Sequence, residues 1–311
     1  MIGIDVGGAN VKLIDDDGIH LHYCPLWEGA PLKELLEAHK KTGDELAVVV
    51  MSGELADCFS NKMQGITFIV NTVKNVFPGA RFYGMDGLFH DEAVPELAAA
   101  NWLASADFLR ERYPSFVLLD VGSTTADIIP LADFNHLNGL TDLKRLQKGF
   151  LLYTGMLRTP VATLISSVSL DGIHTAVSTE YFASTADVHL VLQHITSSDY
   201  SCDTADKKDK TRAAALRRLA HVVCADLEEI GEPGAVQIAE QCWDRQRTLI
   251  CEQVRRVARD YHATGVITAG IGAPLFAQAC GGRDLRLELG PVADALPAYA
   301  IREVARRSGL Q

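Results

Sequence analysis

The spacing of apolar and polar residues predicts strands at the start of the chain. Residues 2–6 (IGIDV) form a short apolar run that ends in a Gly pair, residues 10–14 (NVKLI) resume it, and residues 18–24 (GIHLHYC) alternate. Such runs around tight turns are typical of consecutive β-strands. Helical spacing follows over residues 31–41, and AVVVM, a β-branched run typical of a buried strand, occupies residues 47–51. Strands interleaved with helices predict an α/β fold.

Later segments predict mainly helices and loops. Apolar residues recur at helical spacing over residues 95–113, and Pro114 ends that helix because proline cannot continue it. The polar residues 197–211 are typical of a surface loop. Three more helices are predicted: one rich in Arg and Ala that runs to about Ile230 and is broken by Pro233 and Gly234, one over residues 235–261, and one over residues 293–307 that crosses back to the first part of the chain.

One pattern occurs twice in the chain. FVLLDVGSTTADIIPL, at residues 116–131, has the same order of apolar strand, Asp, Gly turn and second strand as the amino terminus. Two copies of one strand, turn and strand unit predict two similar lobes. At a constant offset of 115, residues 4–14 align with residues 119–129, which pairs Asp5 with Asp120, Gly7 with Gly122, Gly8 with Ser123 and Lys12 with Asp127.

Each of these hairpins offers two chemical groups at one point. The Asp carboxylate can hold Mg²⁺ through water, and the Gly turn lets backbone N–H groups approach phosphate oxygens. A single hairpin of this kind is also an ordinary turn. Two copies facing each other across a cleft predict a diphosphate clamp in which Asp5 and Asp120 share the metal ion. A third Gly turn, at residues 270–272, follows the apolar strand GVITA and makes the pattern more specific.

Composition and charge limit the classes of partner. The chain has 311 residues, 48% of them hydrophobic and 22% charged, which is typical of a globular protein with two domains or lobes. Its net charge is -11, and residues 1–115 hold 9 basic against 17 acidic side chains. This charge repels nucleic acid and anionic lipid. A phosphorylated ligand would therefore be bound through Mg²⁺ and backbone N–H groups.

The cysteines and the amino terminus predict a cytoplasmic protein. The sequence has no CxxC pair, no basic region followed by an apolar stretch at its start, and no window of about 18 uninterrupted apolar residues. We therefore expect reduced, mostly buried thiols, with neither a disulfide framework nor a zinc site. The seven cysteines are scattered and odd in number: Cys24, Cys58, Cys202, Cys224, Cys242, Cys251 and Cys280.

The three Gly segments, in this order, resemble those of the superfamily of actin, sugar kinases and heat-shock chaperone ATPases. DVGGANVK resembles its first phosphate loop, DVGSTTAD its second, and ITAGIG its adenosine-side loop. The resemblance implies a two-lobed actin-like (ribonuclease H-like) fold with a ligand cleft between the lobes. The first lobe would comprise residues 1–114 and 294–311, and the second residues 115–293.

Within this superfamily the chain is similar to the hydantoinase and oxoprolinase branch. In particular it resembles the tetrahydromethanopterin-linked one-carbon transfer pathway proteins, and the resemblance spans nearly the whole chain. The segments that carry it are SGELADCFSNKMQGI (52–66), YTGMLRTPV (153–161), STEYFASTADVHLVL (178–192) and RRLAHVVCADL (217–227).

That branch implies a transferase of the methanofuran or methylofuran pathway. Its archaeal members join the phenol oxygen of γ-glutamyltyramine to an aminomethylfuran carried as its methyl diphosphate, and pyrophosphate leaves. The resemblance also implies, as an alternative acceptor for this chain, a tyrosine or glutamyl-tyrosine analogue, and methylofuran would be the related product in methylotrophic bacteria. A site shaped for the terminal phosphates of ATP suits an organic diphosphate equally well, and Mg²⁺ with aligned N–H groups stabilises the charge that grows on the leaving group.

Roles follow for individual residues, with alternatives open for several. Lys12 is also typical of a solvated strand position, and Arg158 of a structural ion pair. Glu54, Asp57 and Glu180 are candidates for the general base that accepts the phenol proton, although acids at such positions are more often helix caps or surface groups. The expected catalytic residues are Asp5, Lys12, Asp120 and Glu54; the metal ligands Asp5, Asp120 and Asp127; the diphosphate-binding residues Gly7, Gly8, Asn10, Gly122, Ser123, Thr124, Thr125, Gly270 and Gly272; and the substrate-binding residues Arg158 and Glu180.

Two other functions remain open for the same loops. One is ATP hydrolysis or phosphoryl transfer, as in sugar kinases or oxoprolinase subunits, and the other is noncatalytic nucleotide sensing. A third Gly loop blocked by Ile271 or Pro274 would favour a small diphosphate over ATP. The expected cofactor is Mg²⁺, and the expected partners are the diphosphate and a phenolic substrate, without nucleic acid or membrane. The sequence leaves the oligomeric state open, a homodimer included.

Overall fold

A computed structural model describes residues 1–41 and 46–310. Within this part of the chain, two main sheets are built from different stretches of sequence, and a short hairpin stands apart from both. The strands are β1 (Ile2–Val6), β2 (Asn10–Ile14), β3 (Ile19–Tyr23), β4 (Ala47–Met51), β5 (Arg81–Tyr83), β6 (Phe89–His90), β7 (Phe116–Val121), β8 (Ala126–Pro130), β9 (Leu151–Leu152), β10 (Ser167–Leu170), β11 (Ile173–Ala176), β12 (Gly265–Ala269) and β13 (Arg283–Asp284).

The two sheets repeat one arrangement, as the internal repeat predicts. The first has the strand order β3-β2-β1-β4-β5-β6, and the second has the order β13-β12-β7-β8-β9. In the first sheet β1 pairs antiparallel with β2 and parallel with β4. In the second, β7 pairs antiparallel with β8 and parallel with β12. The α/β class and the two similar halves are therefore confirmed.

Helices surround both sheets, and their apolar faces complete the core. β1 and β4 are buried along their whole length, so they need cover on both faces. The helices are α1 (Leu32–His39), α2 (Lys62–Val76), α3 (Asn101–Leu109), α4 (Asp142–Lys148), α5 (Val161–Leu164), α6 (Thr185–Val191), α7 (Arg212–His221), α8 (Leu227–Asp260), α9 (Ala273–Cys280), α10 (Arg286–Leu289) and α11 (Leu296–Arg307).

Three predicted helices differ from the observed ones where the backbone turns left-handed or tightens. The predicted helix over 95–113 is interrupted, because Ala99 has a φ of 49° between a 3-10 turn (Pro95–Leu97) and α3. The predicted final helix begins later than residue 293, since a 3-10 helix (Gly290–Ala295) precedes α11.

The third difference lies between α7 and α8. The helix rich in Arg and Ala ends at His221, and Cys224 adopts a φ of 60° before Asp226 caps the next helix. The predicted break at Pro233 is displaced to Gly231, which has φ 65° and ψ 172° inside α8. Pro233 then lies in the first turn of the second segment, where a missing N–H costs little.

α11 returns to the first sheet, as predicted. It packs on α3, β1 and β4. Gly3 permits this contact, because a Cβ there would lie 2.2 Å from the carbonyl oxygen of Ala298. The exact lobe boundaries stay a prediction.

The cysteine prediction is wrong for one pair. Cys251 of α8 and Cys280 of α9 form a disulfide, with their Cα atoms 5.5 Å apart. The packing of α8 against α9 brings together two residues that the sequence separates by 29 positions, and spacing alone could not show this. Among the remaining cysteines, Cys24, Cys202 and Cys242 are buried free thiols, and Cys58 and Cys224 are exposed.

None of the helices in the described residues combines the length and apolar character that a membrane span requires.

Candidate functional site

A cleft of about 940 Å³ lies between the two sheets and collects side chains from both. Its walls include both hairpin turns, the loop after β4 and the loop after β12. Most of the residues predicted from the sequence meet here: Asp5, Gly7, Gly8, Asn10, Lys12, Glu54, Asp120, Gly122, Ser123, Thr124, Thr125, Asp127, Arg158 and Gly270.

Two predicted site residues do not line the cleft. Gly272 is buried behind Gly270, where its N–H donates to the carbonyl oxygen of Val121 at 3.0 Å. Gly272 therefore supports the second hairpin from the protein interior. Glu180 is exposed and lies outside the set of residues around the cleft, so the structure does not bring it together with the others.

The two hairpin turns are closed in the same way. The N–H of Gly7 donates to the carbonyl oxygen of Asn10 at 2.9 Å, and the N–H of Gly122 donates to that of Thr125 at 2.9 Å. These pairs are related by the offset of 115 residues. Each closed turn leaves its tip facing the cleft, which is the arrangement that a phosphate-binding loop requires.

Strand register places a charged group opposite each Asp. Lys12 lies across from Asp5, with its Nζ 4.0 Å from Asp5 Oδ2, and Asp127 lies across from Asp120. Asp5 is only 4% exposed, and its Oδ1 has no hydrogen-bond partner within residues 1–41 and 46–310.

Burial gives both acids high pKa values. It raises the pKa of Asp5 to about 6, against the lowering effect of Lys12, and Asp127 adds to the rise. It raises the pKa of Asp120 to about 7, again opposed by Lys12, with Asp127, Asp5 and Asp294 adding to the rise. Each carboxylate is thus held where its negative charge is unfavourable unless a cation joins it.

Asp127 is already paired on the protein side. Arg145 of α4 forms an ion pair with it, donates to Asp142 Oδ1 at 2.8 Å, and stacks on the ring of Trp102 at 4.5 Å. Arg145 is only 3% exposed. Sequence reasoning missed this residue because the short segment DLKRLQK has the pattern of a solvated helix.

The described residues hold no group of three or more His, Cys, Asp or Glu side chains placed to bind a metal ion together. The described residues therefore contain no preformed metal site made of Asp5, Asp120 and Asp127. The unpartnered, buried Oδ1 of Asp5 nevertheless fits a cation held through water, because buried polar atoms normally have partners.

Glu54 lies on the loop after β4, at the cleft wall. It is 1% exposed, and its Oε2 has no hydrogen-bond partner in the described part of the chain. Burial raises the pKa of its carboxyl group, and the backbone N–H of Glu54 itself, the charge of Lys62 and the backbone N–H of Ala99 partly offset this rise. Gly65 of α2 packs against the Glu54 backbone so closely that a Cβ would lie 2.0 Å from its carbonyl oxygen. The carboxyl group is thus fixed in place and inclined to take up a proton.

Gly270 brings the third Gly turn against the second hairpin. Its φ is 77°, and a Cβ there would lie 2.4 Å from Asp120 Oδ1. Ile271 and Pro274 follow it and line the same side of the cleft.

Among the cleft residues that were not predicted are Trp27, Arg286 and Asp294. Trp27 follows β3, Arg286 is the first residue of α10, and Asp294 lies in the 3-10 helix before α11. Arg286 Nη2 and Asp294 Oδ1 lack hydrogen-bond partners within the described residues, and Arg286 Nη1 lies 3.7 Å from Asp294 Oδ1 as an ion pair. The pattern of apolar positions does not indicate any of these residues, because the packing of segments that are distant in sequence brings each one to the cleft.

Comparison with known proteins defines the class. Residues 45–290 match the model of the hydantoinase/oxoprolinase family. The chain therefore belongs to the hydantoinase/oxoprolinase family.

Two relatives narrow this assignment. The chain is 38% identical over 291 residues to a protein of Methanocaldococcus jannaschii named (4-{4-[2-(γ-L-glutamylamino)ethyl]phenoxymethyl}furan-2-yl)methanamine synthase, covering 90% of this chain and 88% of that protein. It is 40% identical over 163 residues to a protein of the same name from Methanococcus vannielii, covering 52% of this chain and 73% of that protein. The resemblance to this group is thereby confirmed.

A solved structure supports the fold. The nucleotide-free structure of an acetone carboxylase matches with a TM-score of 0.54 at 10% identity, over 96% of this chain and 69% of that one. Together with the repeated sheets, this confirms the two-lobed actin-like fold expected from the Gly segments.

Proposed function

We propose that this enzyme is a transferase that joins an aminomethylfuran methyl diphosphate to the phenol of γ-glutamyltyramine, or of a tyrosine analogue, and releases pyrophosphate. The names of its relatives support a synthase of methanofuran assembly. The pair of equivalent hairpins at one cleft carries the proposal, because it offers two phosphate-binding turns and two buried acids to one ligand.

The diphosphate would lie between the two closed turns. The backbone N–H groups of Gly8 and Ser123, which close neither turn, would donate to its oxygens, and Lys12 would neutralise part of its charge. Mg²⁺, when bound, would stabilise the negative charge that develops on the departing pyrophosphate. Asp5 and Asp120 would hold it through water, since Asp127 already pairs with Arg145.

The reaction is a substitution at the furfuryl carbon. The bond between this CH₂ and the diphosphate oxygen breaks, and its electron pair leaves with the pyrophosphate. The phenol oxygen forms the new bond to the same carbon, and its proton passes to Glu54. The furan ring can share positive charge at that carbon, so bond breaking can run ahead of attack. Glu54 suits the base role because its carboxyl group is buried, its pKa is raised, and its Oε2 has no hydrogen-bond partner within the described residues.

The third Gly turn favours a small diphosphate over ATP. Ile271 and Pro274 line the cleft beside Gly270, on the side where the resemblance expects an adenosine. Bulky side chains at that place leave less room for an adenine ring, whereas the two phosphate turns are unaffected.

The test mixes the furan diphosphate, γ-glutamyltyramine and Mg²⁺ with purified protein from which nucleotide has been removed. We expect the aryl ether and pyrophosphate in equal amounts, followed by mass spectrometry and a pyrophosphate assay. Asp120→Ala should abolish both products, and the exposed Asp203→Ala is the matched control. A strict requirement for ATP, with ADP and phosphate formed in step with product, would overturn the proposal in favour of an ATPase.

A further inference from the structure

Arg158 has an unusual environment for a cleft arginine. Its guanidinium lies over the indole ring of Trp27, 4.6 Å from the ring centroid. Within residues 1–41 and 46–310, no carboxylate lies within ion-pair distance of it and no acceptor takes a hydrogen bond from it. The structural ion pair that the sequence left open is therefore not formed. A fork of five N–H donors faces the cleft with only an aromatic face to hold it.

Trp27 and Arg158 lie in segments that are hydrogen-bonded to equivalent turns of the two lobes. The N–H of Leu26, next to Trp27, donates to the carbonyl oxygen of Gly8 at 2.9 Å, in the first turn. The N–H of Arg158 donates to the carbonyl oxygen of Ser123 at 3.0 Å, in the second turn. Gly8 and Ser123 are counterparts at the offset of 115 residues. The contact between Trp27 and Arg158 thus joins the two phosphate-binding turns across the cleft.

The indole also makes a hydrogen bond through its ring nitrogen. Trp27 Nε1 donates to Glu28 Oε1 at 3.2 Å, a contact that restrains the ring. A guanidinium held over an aromatic ring is restricted in orientation, so its N–H fork is partly ordered before any ligand arrives. An oriented fork of this kind matches the two oxygens of a carboxylate.

Exposed aromatic and apolar side chains of the same cleft would accept an aromatic body. Tyr23 is 38% exposed and Tyr153 is 73% exposed, and both line the cleft near the two turns. Leu21 and Leu55 are exposed on the same cleft. Exposed apolar groups gathered in one concave site, with one oriented cation, are typical of a pocket for an aromatic ligand that carries an anionic end.

We propose that Trp27 is a positioning residue that holds Arg158 ready for the carboxylate of the phenolic acceptor. This inference rests on the proposed function and adds the residue that determines acceptor specificity. The pair selects acceptors that carry a carboxylate and holds them beside the diphosphate, because Arg158 and Leu26, the neighbour of Trp27, are hydrogen-bonded to the two phosphate-binding turns.

The experiment compares γ-glutamyltyramine with its carboxamide, which keeps the shape and removes the negative charge. For Trp27→Leu we expect a KM for the carboxylate acceptor about tenfold higher, and for Arg158→Gln about a hundredfold higher, with kcat within threefold. The KM for the carboxamide should stay within twofold in both variants. Trp27→Phe should restore most of the preference, because an aromatic face returns.

The matched control is Phe68→Leu, which removes an exposed aromatic ring of α2 outside the cleft and should leave both KM values unchanged. A Trp27→Leu enzyme that keeps the wild-type ratio of the two KM values would overturn the proposal, as would equal KM values for both acceptors in the wild type.

Direct binding separates this inference from the proposed reaction. Isothermal titration of both acceptors into protein loaded with Mg²⁺ and inorganic pyrophosphate needs no turnover. If no ether forms but the wild type binds the carboxylate acceptor more tightly and Trp27→Leu loses that preference, the reaction fails and the subsite stands. If ether forms while neither variant changes the preference, the subsite fails and the reaction stands.

Discussion

Replacing Asp5 by Asn should make the protein more stable at neutral pH, although it removes an acid central to the proposed site. Burial raises the pKa of Asp5 from 3.8 to about 6, so the folded protein binds this proton more tightly than the unfolded chain does. The free energy of unfolding therefore falls as pH rises from about 4 to about 6, and stays low above that range.

The size of the effect follows from the pKa. Each pKa unit corresponds to about 1.4 kcal/mol, so a rise from 3.8 to about 6 corresponds to about 3 kcal/mol. Asp5 is 4% exposed, so solvent screens little of this energy. Asn cannot ionise. We therefore expect Asp5→Asn to match the wild type near pH 4 and to exceed its stability by about 3 kcal/mol at pH 8.

Urea unfolding followed by circular dichroism at pH 4, 6 and 8, with EDTA present, measures the difference. The exposed Asp203→Asn serves as the control and should follow the wild-type curve. If Asp5→Asn keeps the wild-type pH dependence, or is the less stable protein at pH 8, the carboxylate of Asp5 is not electrostatically unfavourable in the fold. The same variant should form no ether, because it lacks the carboxylate that we propose holds Mg²⁺. Functional sites are often built at the expense of stability.

Three other outcomes test the cleft. Gly270→Ala should lower turnover at least tenfold, because its Cβ would meet Asp120 Oδ1, whereas Gly281→Ala shares the left-handed backbone (φ 68°) but points into open space and should keep its turnover. Glu54→Gln should lower kcat by about 10² to 10³ and leave the calorimetric affinity for Mg²⁺ and pyrophosphate within twofold; unchanged kcat would remove Glu54 as the base. That affinity should rise from pH 5 to pH 8 in the wild type, because Asp5 (pKa about 6) and Asp120 (pKa about 7) must lose protons to accept the cation. An affinity independent of pH would contradict their role.

The sequence predicts the hairpins well because their information is local. A short apolar strand, an Asp and a Gly turn specify both the backbone and the group placed at its end. The offset of 115 residues then relates the two sites, and the structure closes both turns with equivalent hydrogen bonds. Fourteen of the sixteen residues predicted for the site therefore line one cleft.

Contacts between distant segments are what the sequence could not predict. The ion pair of Arg145 with Asp127, the stacking of Arg158 on Trp27, and the disulfide of Cys251 all depend on how separate elements pack. No periodic pattern marks such a contact in a single sequence. The helix interruptions have a similar origin, because Ala99 and Cys224 adopt left-handed conformations that their residue types do not predict.

The return of α11 to the first sheet has a consequence for how this chain is made. α11 packs on β1, and Arg302 Nη1 donates to the carbonyl oxygen of Asp15 at 3.0 Å. These two residues are 287 positions apart in the sequence. On the ribosome, β1 emerges before the second lobe, and its covering helix emerges after it. The first lobe therefore cannot complete its core until the entire second lobe has been synthesised, and part of its apolar surface stays uncovered until then. We expect a fragment that ends before α11 to fold the first lobe incompletely and to bind chaperones.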